Sequence, residues 1–293
     1  MSDGRAPVWR FGYGSNMSIA NLIKKKRLDI LDHATGACAN WALAFELPGI
    51  PHVEPVFANV RPAQGDAVHG IAFQISAAQA EGLDRQEGGY DVVPAQCVAY
   101  DGRVFADVGL YVPKQGRAAA EPGARPSRRY LDILRRGARE AGLDAAYIER
   151  LDQHPHYVTP PQVRDQTQRW LEDFEQDASR RDVRWTAQEL AGFDGSAPDR
   201  PAHTSAMGYV VAFEAWFSSW RGHTITRRNL LHFRGESVDA LDVRAGEAGF
   251  LPLPDLAACT PAELEFLRQN LDHLLHCGGR IVGRLQEFLD AQR

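Results

Sequence analysis

Positive charge is not in excess in this sequence of 293 residues: 33 Lys and Arg stand against 38 Asp and Glu, a formal net charge of −5. A nucleic-acid binder rests its affinity on Lys and Arg contacts to phosphate, so no nucleic-acid partner is expected. Long apolar runs are missing too, none approaching the ~20 residues of a membrane span. The opening MSDGRAPVWR lacks the apolar core of a secretion signal, so no membrane partner is expected. Cysteine is scarce. Cys38, Cys97, Cys259 and Cys277 are far apart, with no C-x-x-C pair, and read as reduced structural thiols of a cytoplasmic protein. The one basic run, Lys24-Lys25-Lys26-Arg27, reads as the solvated face of a short helix. There is no internal repeat.

What is present falls into two parts, as the length suggests. PVWRFGY, WALAFEL, VHGIAFQIS, VPAQCVAY and VFADVGLYV are rich in Val, Phe, Tyr and Ile and bounded by Gly, Pro and Asp, the pattern of short strands. Two short helices interrupt them. One begins near Ser18; the other begins at Ser76, where Ser76 and Gln79 form a capping-box pair, and ends at Gly88-Gly89. From Ser127 the pattern is helical, with Tyr130, Ile133 and Leu134 on one face, Gly142 as a stop and Asp144 capping AAYIERL. Strands followed by helices make an α+β domain, residues 1–165. Residues 166–184 read as a polar connector, partly helical around Trp170 and Phe174.

Residues 185–293 read as a smaller, mostly helical α+β C-terminal unit of accessory role. Its clearest element starts at Thr260, with Pro261 in the first helical position, Glu263 completing a capping box and Gly278-Gly279 as the stop. Leu264, Leu267, Leu271, Leu274 and Leu275 supply its apolar stripe. Trp216, Phe217 and Trp220 read as core-facing aromatics, and His154 with His156, or His273 with His276, lack a third metal ligand. No metal site is expected.

The stretch RFGYGSNM looks like a phosphate-binding turn, but Met17 stands where a dinucleotide fingerprint has its third glycine, and a short basic helix follows. What remains is a strand ending in a turn whose amides, from Tyr13 to Met17, suit a carboxylate or an oxyanion at a helix start. Further on, GLDRQEGGYD puts Glu87 in the last turn of a helix, where the dipole disfavours the carboxylate and pushes its pKa upward, suiting a general acid–base group. A solvent-facing Glu near a C-cap is the plainer reading of the same residue.

Together these segments resemble the γ-glutamylcyclotransferase family. FGYGSNM is similar to its F-x-Y-G-S-N turn, HGIAFQIS to its H/W-G-x-x-aromatic strand, LDRQEG to its L-D-x-x-E-G helix end, and PSRRYLDILRRGAREAGLDAAYIERL to its P-S-x-x-Y helix and the helix after it. The resemblance implies a small mixed β-barrel with flanking helices and a cavity at one side. It also implies cyclisation of a γ-glutamyl amino acid or amine to 5-oxoproline, with no cofactor. By position it makes Glu87 the catalytic acid–base group. Tyr13, Gly14, Ser15, Asn16, Met17, Tyr90 and Tyr130 become the substrate-binding residues, Tyr90 through the shortened spacing EGGYD. Dedicated glutathione cyclotransferases of this kind usually carry Y-G-S-L where this chain has Y-G-S-N. Loop 113–126 is expected to border the pocket. Ser15 has no base beside it in sequence that would make it a nucleophile. The competing reading is a barrel without turnover, a regulatory module whose C-terminal unit docks a protein partner or a second copy.

RWTAQELAGFDGS, MGYVVAF and WRGHTITRRNL resemble, in order, segments of the progesterone-receptor-type haem/steroid-binding domain. The chain departs from that pattern where it has no tyrosines between Phe213 and Trp220, and where Thr224 replaces an acidic residue. A packing or partner module without haem is therefore expected.

Overall fold

The computed structural model describes residues 5–24, 26–116, 119–193, 201–213, 256–259 and 261–292. The chain divides into two compact units, one of Met1–Pro48 with Pro55–Tyr157, the other of Gly49–Glu54 with Val158–Arg293. No helix among the described residues is long and apolar enough to cross a membrane.

In the first unit β1 (Val8–Gly12), β2 (Asp32–Ile50), β3 (Glu54–Ile75), β4 (Tyr90–Ala99) and β5 (Val104–Pro113) close a barrel in the order β1-β3-β2-β4-β5. β1 runs antiparallel to β3, from Val8 opposite Ile75 to Gly12 opposite Ile71. It runs parallel to β5, with Arg10 opposite Gly109, and that contact makes the barrel mixed. Phe11, Phe73, Ile75 and Leu110 fill the interior at 0% exposure. Each such side chain contributes about 1.5–3 kcal/mol through removal from water. Gly70 lets β1 and β3 come this close, because a Cβ there would lie 2.2 Å from the Gly12 carbonyl oxygen.

Four helices flank this barrel among the described residues: α1 (Ile19–Lys24), α2 (Ala77–Gln86), α3 (Arg128–Glu140) and α4 (Ala145–Gln153). Side-chain oxygens of Ser76, Ser127 and Asp144 accept the N–H of Gln79, Tyr130 and Tyr147, at 3.0–3.2 Å, and so start α2, α3 and α4. α3 buries Tyr130, Leu131, Leu134 and Ala138, one stripe of a helix.

The cysteine expectation fails for one pair. Cys38 and Cys97 lie 59 residues apart in sequence, yet they are register partners on β2 and β4 and are joined as a disulfide, with Cα atoms 4.2 Å apart. That pairing removes the argument from reduced thiols for a cytoplasmic location. Cys259 and Cys277 are free.

The second unit contains α5 (Pro161–Gln176), α6 (Ala178–Arg181), β6 (Arg184–Trp185), α7 (Ala187–Ala191), β7 (His203–Ala206), β8 (Tyr209–Ala212), α8 (Pro261–His276), β9 (Arg280–Leu285) and α9 (Gln286–Ala291). Its described strands form a sheet in the order β6-β9-β8-β7. Met207 and Gly208, both with positive φ (51° and 74°), make the tight turn between β7 and β8. Much of the segment expected as a connector is α5, a helix of this unit. Its sequence is polar, but Phe174 is fully buried against Leu271 and Leu274 of α8, with Trp170 packed beside it. Arg164 on α5 reaches Glu265 at 2.9 Å and the fully buried Asp272 at 3.2 Å. α8 begins at Pro261 and stops at Gly278, whose φ is +88°. Thr260, Trp216, Phe217 and Trp220 lie outside the described residues.

Candidate active site

The turn after β1 folds back sharply on its strand: a Cβ on Gly12 would lie 2.3 Å from the Asn16 carbonyl oxygen. Ser15–Met17 form one 3-10 turn rather than the first turn of α1, and the Met17 N–H is donated to the Gly14 carbonyl at 3.1 Å. This return aims the Asn16 side chain at Glu87, to whose Oε1 its Nδ2 donates at 3.1 Å. Glu87 terminates α2. Its N–H bonds the Leu83 carbonyl at 2.9 Å, and its own carbonyl accepts from the Tyr90 N–H at 2.9 Å. The two segments that the sequence singles out therefore meet.

They meet at a cavity of about 40 Å³ lined by Phe11 to Asn16, Ala58, Glu87, Tyr90, Tyr111 and Tyr130. The Tyr90 hydroxyl donates to the Ala58 carbonyl at 2.8 Å, and the Tyr130 hydroxyl accepts the Ala58 N–H at 3.2 Å. Tyr13 donates to the Tyr111 carbonyl at 2.6 Å, and Tyr111 in turn donates to Asp84 Oδ1 at 2.7 Å. Arg10 holds both oxygens of Asp84, at 3.1 and 2.7 Å. Burial pushes the Tyr13 phenol well above its ordinary range, with Tyr90, Tyr130 and Glu87 adding to the effect. Burial also raises Tyr111, helped by its bond to Asp84. Both are thereby kept protonated, as hydrogen-bond donors.

Of the residues expected to bind substrate, Tyr13, Gly14, Ser15, Asn16, Tyr90 and Tyr130 line this cavity with Glu87. Met17 does not: its side chain is 1% exposed within the barrel core, and its amide is already used. The described part of loop 113–126 does not line the cavity either. A second, larger cavity of about 210 Å³ in the same unit is lined by Leu43, Phe45, Asp66, Ala67, Tyr147, Arg150, Leu151 and His154. No carboxylate there meets a turn in the way that Glu87 meets Asn16. His154 stacks against Phe45 with ring centres 4.5 Å apart, and His273 contacts the Cys277 sulfur at 3.6 Å. Among the described residues no group of His, Cys, Asp and Glu forms a metal site.

Residues 67–151 match the model of the AIG2-like family. A γ-glutamyl cyclotransferase, gliK, of Aspergillus fumigatus is 27% identical over 55% of this chain and 67% of its own length. The gliK γ-glutamyl cyclotransferase of Claviceps purpurea is 28% identical over 48% and 67%. Over the barrel unit the chain is similar to γ-glutamyl cyclotransferases. A solved structure described as a γ-glutamyl cyclotransferase is 20% identical over 56% of this chain and 99% of its own, with a TM-score of 0.45. These matches give no support to the resemblance of residues 185–230 to a haem/steroid-binding domain, part of which falls outside the described residues.

Within this site the sequence reading missed four participants. Asp84 precedes Glu87 by three residues, so helical spacing places both on one face, a signal that was available. Tyr111 and Arg10 sit inside strand patterns that reveal only inward or outward facing. Lys26, read as part of a solvated run, instead donates to Glu87 Oε1 at 3.1 Å, with side chains 28% and 20% exposed respectively.

Proposed function

We propose that the barrel unit cyclises γ-glutamyl amino acids or γ-glutamyl amines to 5-oxoproline, releasing the amino acid or amine, with Glu87 as the general acid–base group. The observation that carries this is the Asn16–Glu87 hydrogen bond across a shared cavity. The substrate's α-nitrogen attacks its own γ-carbonyl carbon, and the bond to the departing nitrogen breaks. Two protons leave the attacking nitrogen in turn, one before and one after the ring closes, and two reach the departing nitrogen, which leaves as an ammonium ion. One carboxylate that accepts and returns each proton suffices. Holding amine and carbonyl together supplies proximity, and donors along Tyr13–Asn16 face the α-carboxylate or the developing oxyanion. These steps need no metal or cofactor.

The cavity has room for roughly three waters, so in this reading it grips part of the γ-glutamyl group and leaves the amine portion outside. Tyr90 and Tyr130 form its walls. The second unit is taken as accessory.

The test is alanine release from γ-glutamylalanine by the purified chain and by Glu87→Gln. The variant is expected to lose roughly 100- to 10,000-fold in kcat with its melting temperature unchanged. An active Glu87→Gln removes the mechanism.

A further inference from the structure

Glu87 is met by two donors at one oxygen. Asn16 Nδ2 and Lys26 Nζ both lie 3.1 Å from Oε1, whereas among the described residues Oε2 accepts no hydrogen bond. The ammonium is placed by backbone geometry rather than by chance on a solvated face. At the end of α1 the Lys26 N–H bonds the Asn21 carbonyl at 3.2 Å, and the Leu28 N–H reaches back to the Leu22 carbonyl at 3.1 Å. Between them Arg27 takes a left-handed conformation with φ of 54°, and Leu28, 6% exposed, anchors the turn in the barrel core. A non-glycine residue in this conformation costs about 1 kcal/mol, offset here by the cap and the anchor.

The other groups facing Glu87 cannot do what Lys26 does. Tyr13 and Tyr111 approach from the turn after β1 and from β5 with phenols that burial keeps protonated, and Tyr90 and Tyr130 line the same cavity. Asp84, one turn earlier on α2, is taken up by Arg10 and Tyr111. Among the described residues, Lys26 is the cation at this carboxylate.

We propose that Lys26 is a positioning residue for the cyclisation: with Asn16 it pins Oε1 and leaves Oε2 as the atom that receives protons from the substrate's α-nitrogen and passes them to the departing one. The proposal rests on Glu87 being the acid–base group. It adds no reactant, since each proton that Oε2 takes up it gives back, and the electron pair of the broken C–N bond stays on the departing amine.

The test measures alanine release from γ-glutamylalanine by the full chain at neutral pH, with kcat and KM determined separately. Lys26→Met is expected to lower kcat about 10- to 100-fold with a smaller change in KM, because Oε1 is no longer pinned and Oε2 loses its aim. Lys26→Arg restores most of the rate. If Lys26→Met does not fold, Lys26→Gln takes its place in the same measurements. Two results overturn the role of Lys26 alone: a neutral variant with the wild-type kcat while Glu87→Gln is inactive, or a slowed variant which Arg does not rescue. A wild-type chain that releases no alanine, or an active Glu87→Gln, overturns the acid–base reading with it.

Discussion

Gly70→Ala strikes the fold and the site at one point. The added methyl would lie 2.2 Å from the Gly12 carbonyl oxygen, 3.0 Å from the Gly12 carbonyl carbon and 2.9 Å from Phe11 Cε1. An ordinary carbon–oxygen contact is about 3.3 Å, so the overlap is roughly 1 Å and the oxygen it meets belongs to the backbone. No rotamer relieves it, and β1 must move away from β3. Overpacking of this kind costs about 2–4 kcal/mol, a fall of roughly 5–15 °C in melting temperature for a unit of this size. The strand that moves carries the turn: a Cβ on Gly12 would already lie 2.3 Å from the Asn16 carbonyl. A shift near 1 Å at Asn16 is worth about 100-fold in turnover. Two controls separate close approach from loss of glycine as such. At Gly109 the nearest atoms belong to side chains, Val92 Cγ1 at 2.7 Å and Arg10 Nη1 at 2.9 Å, so Ala there presses on the Arg10–Asp84 pair and not on a backbone oxygen. At Gly102 the φ of +89° meets open space, so Ala brings strain of about 1 kcal/mol and leaves turnover intact. Thermal melts with alanine-release assays on the three variants decide the matter. A Gly70→Ala protein with the wild-type melting point and full turnover refutes the reasoning.

The remaining expectations concern stability. Arg164→Met strips the fully buried Asp272 of its cation and should cost about 3 kcal/mol, read by denaturant unfolding; adding Asp272→Asn should recover much of the loss, and an additive double mutant would contradict the coupling. Reducing Cys38–Cys97 frees a loop closed over a separation of 59 residues. By chain entropy that is worth up to about 4 kcal/mol, so melts with and without reductant should differ by several degrees. Burial lowers the pKa of His69 and of His154. The unfolded chain therefore takes up protons first as pH falls below about 6.5, and the stability of the first unit should decline from there downward. His154→Phe should flatten that decline, measured as melting temperature against pH.

The barrel strands were legible because Val, Phe and Tyr runs bounded by Gly and Pro leave few alternatives, and the caps at Ser76, Ser127 and Asp144 were legible because capping is local chemistry. Register was not. Cys38 opposite Cys97 depends on how β2 and β4 pair, which no local pattern encodes. α5 reads as polar because only its Phe174 side enters the core, and Val163, Trp170, Leu171 and Phe174 among sixteen residues resemble a solvated linker. Of the candidate site, the meeting of residues 13–16 with Glu87 came from family resemblance rather than from spacing. Lys26 stayed hidden because a run of lysines after a short helix normally points to water. Its direction is set by a left-handed Arg27 that composition cannot announce.

Tyr90 and Tyr130 are both tethered to Ala58, one to its carbonyl and one to its N–H, so two rings that line the pocket hang from a single residue of β3. The gap between those rings is consequently governed by strand geometry and is insulated from drift in side-chain identity along the strand. Ala58 itself is buried in the barrel core at 2% exposure. A family member that needs a wider mouth must therefore change the rings or the glycine turn, and keep the peg from which they hang.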